Sequence, residues 1–133
     1  MSRRKIRVVG AMLESTPGSY LITQRKPSSS LPLLWEFPGG RVEEGESDEV
    51  ALARELDEDL GIRIRVTRQV NVIHHAYDDY DVELVILACH LVGDPDALVH
   101  RGVHDHRWVT VEELPNYRFP PADAQTVARL LGL

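Results

Sequence analysis

The chain is expected to fold as an α+β protein, a mixed β-sheet flanked by helices. Three observations lead there. Extended apolar segments and helical segments follow one another in the order β-rich, helix, β-rich, helix. The helix of the first half is bracketed by end signals, Ser47 before it and Gly61 after it. The strand-like runs are rich in Val, Ile and Leu and are bounded by Pro, Gly and Asp.

Taken in order, Ile6–Glu14 alternates poorly but is rich in branched aliphatics, as a buried strand is. Thr16-Pro-Gly-Ser19 is a turn, and Tyr20–Arg25 is expected to pair back as a hairpin strand. Lys26–Pro32 reads as a loop. Leu33–Gly40 is a short strand running into a glycine turn. Ser47 caps a helix over Asp48–Leu60, with Asp48 and Glu49 in the first turn where the helix dipole favours acids. Val50, Ala53, Leu56 and Leu60 form its expected apolar stripe. Ile62–Tyr77 is extended, Asp78–Asp81 a turn, and Val82–Val92 the next strand, broken by Gly93-Asp-Pro-Asp96. Arg107–Thr110 is a short strand, Val111–Leu114 a helical turn, and Ala122–Leu131 a second helix introduced by Pro120-Pro121. Trp35 and Phe37 lie on one side of their strand, a placement that most often means core.

At 133 residues the expectation is one domain spanning 1–133, with a single core. Hydrophobic content of 43% and charged content of 27% are those of an ordinary soluble globular protein. No apolar run approaches the roughly 20 residues of a membrane span. The basic start, Met1-Ser-Arg-Arg-Lys, is not followed by a signal-peptide pattern, and the single cysteine, Cys89, fits a reducing compartment and a core position; together they point to the cytoplasm. The net charge of −6 argues against a stable nucleic-acid partner, which requires a basic footprint. The acids concentrate in residues 43–59, where a bound cation would cancel much of their field and leave room for a phosphate-bearing ligand.

That acidic stretch carries the chemistry. Glu55, Glu58 and Asp59 fall at i, i+3 and i+4, on one side of the helix, where like charges destabilise unless a cation lies among them. Oxygen ligands of this kind suit Mg²⁺ or Mn²⁺ rather than zinc. A glycine turn just before the helix allows backbone to approach the same ion or a phosphate closely. A solvated acidic helix face is the plain reading of such a cluster taken alone.

The whole segment from Gly40 to Ile62 resembles the Nudix box, in which a Gly is followed by a spaced Glu and then by Arg-Glu-apolar-x-Glu-Glu-x-Gly-apolar. Gly40, Glu46, Arg54, Glu55, Leu56, Glu58, Gly61 and Ile62 stand at fixed positions, and Asp59 stands where the family usually has Glu. The resemblance implies an α/β/α Nudix sandwich with the box as a loop-helix-loop, and hydrolysis of a nucleoside diphosphate linked to another group. It implies Glu55, Glu58 and Asp59 as ligands to Mg²⁺, for which Mn²⁺ can substitute, with the Gly40 carbonyl nearby. It also implies Glu55 as general base or water-orienting group, Arg54 as the residue holding the box carboxylates, and Glu46 as support. Asp59 is one methylene shorter than the usual ligand, so that its contact with an ion is expected to run through water or to shift the ion.

Leu34-Trp-Glu-Phe-Pro-Gly-Gly40, Gln24-Arg25 and Phe119-Pro-Pro-Ala-Asp123 resemble the MutT-like branch, whose members act on nucleoside triphosphates. By that resemblance Arg25 lies near the phosphates, Glu36 and Gly39 belong to the substrate site, and Asp123 lies over the base edge. Asp there is similar to relatives that hydrolyse CTP, dCTP or 5-methyl-dCTP and also accept oxidised purine nucleotides such as 8-oxo-dGTP. An ionised Asp only accepts hydrogen bonds, which suits the cytosine amine, whereas a protonated one donates as well. N-cap or first-turn acid of the second helix is the equally weighted reading of Asp123, and the two roles, base and helix, are compatible. Tyr77 is read either as packing or as a stacking partner for the base. Many relatives carry an extra Glu about six residues before the tryptophan at Trp108; Gly102 stands there, and Asp105, His104 or His106 is the candidate replacement. Of the six histidines, His100, His104 and His106 are close in sequence, yet their spacing is not that of a closed zinc site, and zinc is disfavoured.

The function so implied is nucleotide-pool sanitation, with a small-molecule nucleotide as partner, no membrane, and a monomer or homodimer. Two other readings compete. One keeps the box and changes the substrate to ADP-ribose, a dinucleoside polyphosphate or a capped RNA end; the segments around Trp35 and Asp123 speak against it. The other is a non-catalytic Nudix-like binding module, against which stand the retained Glu55 and Glu58.

Overall fold

The structure, a computed structural model, describes residues 3–132. Its centre is β1 (Arg4–Glu14), which pairs in parallel with β6 (Tyr80–Val92) over its whole length, from Arg4 opposite Tyr80 to Glu14 opposite His90. Its other edge is shared. Val8–Gly10 pair antiparallel with β4 (Gly39–Arg41), and Glu14 alone pairs with Tyr20 of β2 (Tyr20–Gln24). β2 then carries β3 (Trp35–Glu36) and β7 (Asp105–Val109), while β5 (Arg63–Ala76) closes the far side antiparallel to β6.

The two faces of this mixed sheet are both covered, which explains why the first strand does not alternate in hydrophobicity. Val9, Ala11, Leu13, Val85 and Leu87 point to α1 (Asp48–Leu60), where Leu52, Leu56 and Leu60 are fully buried. The intervening residues, with Ile22, Phe37, Leu84 and Ile86, point to α2 (Pro121–Leu130). Full burial of a leucine such as Leu56 stabilises by roughly 1.5–3 kcal/mol. The architecture is the α/β/α sandwich expected, and Phe37 and Cys89 lie in the core. No described helix is long and apolar enough to cross a membrane.

The bounds of α1 match the expectation because its signals are local. The Ser47 side chain accepts from the Val50 amide, and Gly61 closes the helix in the left-handed conformation, φ 67°. Its buried stripe does not match. Val50 is 57% exposed and Ala53 also faces solvent; Ala51 and Leu52 replace them, beside Leu56 and Leu60. The helix is rotated so that Glu55 and Asp59, on the same side as Ala51 and Leu52, are carried inward toward β4 and the loop before β7. Three further expectations are corrected. The hairpin of β1 and β2 amounts to one residue pair, because β4 takes the edge first and β2 finds its long partner in β7. The turn after β5 is tighter than Asp78–Asp81: Tyr77 N–H donates to the Tyr80 carbonyl at 2.8 Å, and Tyr80 and Asp81 already belong to β6. The last strand starts at Asp105, not Arg107, since Asp105 and His106 pair with Gln24 and Thr23.

Candidate active site

α1 delivers the box side chains to one end of the sheet. Arg54 is the hub of the outer part. Its guanidinium donates to both oxygens of Glu46 at 2.7 and 2.9 Å, to Glu55 at 3.1 Å, to Glu58 at 3.4 Å and to the Arg41 carbonyl at 3.1 Å. Glu46 in turn accepts from the Glu43 amide at 2.9 Å. Arg54 and that amide hold the Glu46 carboxyl down to about 2.

The inner part is different. Glu55 and Asp59 are half-buried, and burial raises both carboxyls above their ordinary range; the charge of Glu58 raises both further, and that of Asp59 raises Glu55. Two glycines make the space. A methyl on Gly40 would land on the Glu55 carboxylate, and a methyl on Gly102 would land on that of Asp59. Asp59 also accepts, through its backbone carbonyl, from the amides of Arg101 and Gly102 at 3.0 and 3.1 Å. The two departures from the family pattern are therefore in contact. The missing side chain at 102 is what lets the short acid at 59 occupy its position.

Glu55, Asp59 and the neighbouring Glu58 form a set of three carboxylates that share one guanidinium, Arg54, with Glu55 and Asp59 against glycines at contact distance, and these hard oxygen donors fit a divalent metal ion. The Gly40 backbone lies against Glu55, consistent with a carbonyl ligand. Lys26 is the cation whose charge acts most on Asp59, its ammonium tied to the Arg101 carbonyl at 2.8 Å.

From Gly40 a cleft of about 200 Å³ runs along β1 to the start of α2. Its inner end is polar, lined by Arg25, Glu36, Gly39, Gly40 and Arg41. Arg25 donates to Glu36 at 3.1 Å and, through its other nitrogens, to the Ser30 carbonyl and hydroxyl at 2.8 and 3.1 Å, so that it shapes the loop above the cleft. Burial raises the Glu36 carboxyl despite that pairing. The outer end is apolar, walled by Val82, Leu84, Pro120 and the stacked rings of Tyr77 and Tyr80, 5.3 Å between centroids. Asp123 closes this end. It sits in the first turn of α2; the helix is capped not by Asp123 but by the Tyr77 hydroxyl, which accepts from the Ala122 amide at 3.3 Å. Burial, reinforced by Glu36, pushes the Asp123 carboxyl up to about 8.

Of the expected residues, Arg25, Glu36, Gly39, Gly40, Tyr77 and Asp123 line this one cleft. Arg54 gathers Glu46, Glu55 and Glu58, Glu55 touches the cleft at Gly40, and Asp59 lines a small adjoining pocket with Glu36, Gly39 and Gly102. Asp105 does not join them. Its carboxylate is engaged by Arg107 at 2.6 Å and by the His106 amide at 2.8 Å. Trp35 packs edge-on against Tyr117 and is not part of the cleft wall. Tyr80, Arg41 and Lys26 were not anticipated. Tyr80 had a usable signal, since two tyrosines flanking a tight turn meet on adjacent strands; Arg41 and Lys26 had none.

A family model for the NUDIX domain matches residues 8–129, and the chain belongs to that family, the Nudix hydrolases. Within it the relatives are of the MutT-like branch. The chain is 31% identical to an 8-oxo-dGTP diphosphatase of Haemophilus influenzae, over 99% of this chain and 96% of that protein. It is 35% identical to a CTP pyrophosphohydrolase of Escherichia coli K12, over 98% and 94%. Among solved structures, the E. coli ORF135 protein superposes with a TM-score of 0.79 at 32% identity, covering 98% of this chain and 91% of that one. A MutT protein from Methanosarcina mazei shares the fold with a TM-score of 0.83 at 21% identity, covering 99% and 96%.

Proposed function

We propose that this protein is a Mg²⁺-dependent nucleoside triphosphate pyrophosphohydrolase, acting as one domain in the cytoplasm, as a monomer or homodimer, to clear unwanted nucleotides from the pool. It converts a triphosphate and water to the monophosphate and pyrophosphate. The observation that carries this reading is the adjacency of the two parts: Gly40, which lines the cleft, abuts the Glu55 carboxylate, and the same cleft runs to the Tyr77–Tyr80 wall and Asp123.

In this reading Glu55, Glu58 and Asp59, with the Gly40 carbonyl, hold Mg²⁺ or Mn²⁺. The bound ion supplies charge neutralisation to the phosphates and acidity to a water molecule. Glu55 orients the attacking water and takes its proton; its raised basicity suits that task. The water oxygen bonds to phosphorus, the bridging P–O bond breaks, and pyrophosphate leaves. Arg54 keeps Glu55 in register, and Arg25 and Arg41 face the phosphate chain. The base lies between the Tyr77–Tyr80 wall and Asp123.

The state of Asp123 bears on which base that is. Near neutral pH it is held protonated, so it presents one donor beside one acceptor. Cytosine offers the complement, the N4 amine beside an acceptor nitrogen, and so does an 8-oxopurine, N7–H beside a carbonyl. Unmodified guanine presents two acceptors there, which leaves one oxygen of the carboxyl unmatched. A pyrophosphate-release assay with CTP, dCTP, 5-methyl-dCTP, 8-oxo-dGTP and dGTP, against ADP-ribose and a dinucleoside tetraphosphate, tests the proposal. Selective turnover of a cytosine or oxidised-guanine triphosphate supports it. Turnover confined to ADP-ribose or the dinucleotide overturns it.

A further inference from the structure

Where the loop carrying His100 meets the start of β7, three side chains converge that the hydrolytic site does not use. His100 Nε2 lies 2.7 Å from His106 Nδ1, and a carboxylate oxygen of Asp105 joins them, all three atoms within 4.8 Å of one another. His104, adjacent in sequence, is not among them. We propose that His100, Asp105 and His106 form a second metal site, separate from the carboxylate face of α1, that takes a divalent transition-metal ion of the Zn²⁺ class and fixes the loop leading into β7.

The donor set selects the ion. Imidazole nitrogens suit zinc, copper or nickel, whereas Mg²⁺ prefers oxygen. Two zinc–nitrogen bonds of about 2.0–2.1 Å at a tetrahedral angle place the nitrogens about 3.3 Å apart. Parting the rings by about 0.6 Å therefore admits the ion, a side-chain rotation rather than a backbone change. Three protein ligands leave a fourth position for water.

The ligands are well mounted. Asp105 and His106 belong to β7, held in register opposite Gln24 and Thr23, and the His104 amide donates to the Gln24 carbonyl at 2.8 Å. Asp105 already has outer partners that aim it, the His106 amide and Arg107, and a carboxylate retains lone pairs beyond those two bonds. His100 is exposed and sits on the loop whose amides at Val99, Arg101 and Gly102 donate to the carbonyls of Leu60 and Asp59. An ion bridging His100 to β7 would thus pin Gly102 against the Asp59 carboxylate.

The test uses the untagged full-length chain and Zn²⁺ alone as probe, by equilibrium dialysis in excess Mg²⁺. The wild type is expected to retain one more equivalent of Zn²⁺ per chain than His100→Ala/His106→Ala. A Glu55→Gln/Glu58→Gln chain is expected to retain it. Removing His100 alone, an exposed residue whose loss leaves the fold intact, should weaken binding by more than the roughly 10–100-fold that an outer-shell partner is worth. NMR gives a second readout: Zn²⁺ should shift the imidazole signals of His100 and His106 together. Equal Zn²⁺ retention by the wild type and the double histidine variant overturns the proposal, as does retention that disappears only with the glutamates. Neither result touches the hydrolase assignment, which is read with Mg²⁺.

Discussion

The loop before the box helix and the helix itself treat their carboxylates in opposite ways. Glu46 is locked in a two-pronged pair with Arg54 and held ionised far into acid. Nine residues on, within the helix, Glu55 and Asp59 are half-buried beside Glu58; Glu55 has only one contact to Arg54, and both carboxyls are raised. A pair satisfied within the protein is scaffold; a set left unsatisfied is a request for something from outside. The distinction lies in the environment, since all are ordinary acids in one short acidic segment.

The largest break in that contrast comes from Glu55→Gln. Turnover is expected to fall by about 10²–10⁴, the range for a lost general base, while the melting temperature in metal-free buffer stays level or rises, because a repelling charge is gone. Pyrophosphate release and a thermal melt in chelator check both. Gly102→Ala comes next. Its methyl displaces the Asp59 carboxylate, and the Mg²⁺ concentration for half-maximal activity should rise by roughly tenfold or more, as when a supporting partner of a ligand is lost.

A pH series sharpens the contrast without mutation. Glu46 has its carboxyl lowered on folding, so its contribution is complete above its unfolded range and is lost as pH falls from 4.5 toward 2. Glu55 and Asp59 are raised, so the folded state holds protons the unfolded chain has released; stability is present in acid and declines as pH rises through their raised range. Added Mg²⁺ should cancel that decline and therefore stabilise more at neutral pH than in acid, as melts with and without the ion would record. An equal Mg²⁺ effect at both pH values would show that the ion does not engage these two acids.

The smallest effect is expected at the other end of the cleft. Protonated Asp123 and an asparagine both offer a donor and an acceptor, so Asp123→Asn should change kcat/KM on the preferred triphosphate by less than about tenfold below pH 8, the range in which the acid holds its proton. The two proteins should diverge above it, as Asp123 ionises. A loss of 100-fold or more already at neutral pH would mean that the ionised form reads the base.

How much of this was legible from sequence depended on range. Ser47 and Gly61 fixed the ends of α1 because caps act within one turn. The box named Arg54, Glu55, Glu58 and Asp59 because four functional residues sit within six positions of one helix. What sequence could not supply was rotation and partnership. The stripe drawn through Val50 and Ala53 followed apolar residues alone, whereas the helix turns its inner carboxylates toward two glycines, one of them in a loop 43 residues from Asp59. The approach of His100 to Asp105 and His106 was equally hidden, because spacing pointed to His104 and the path of the loop that brings His100 back to the start of β7 is set by tertiary contacts with Leu60 and Asp59.

The parallel ladder between β1 and β6 has a consequence in time. Every rung joins residues 76 apart, as Arg7 and Glu83 are, and the whole box lies within the interval that must close. The helix forms locally and early, but its inner acids have no cleft to face until the strand ending at Val92 has left the ribosome and found the first one. Long-range pairing of this kind slows folding toward the millisecond-to-second regime. The nascent chain therefore completes its acidic helix well before it can use it, and the site is whole only once β6 has docked on β1 and the Gly102 loop and α2, made last, have closed on it.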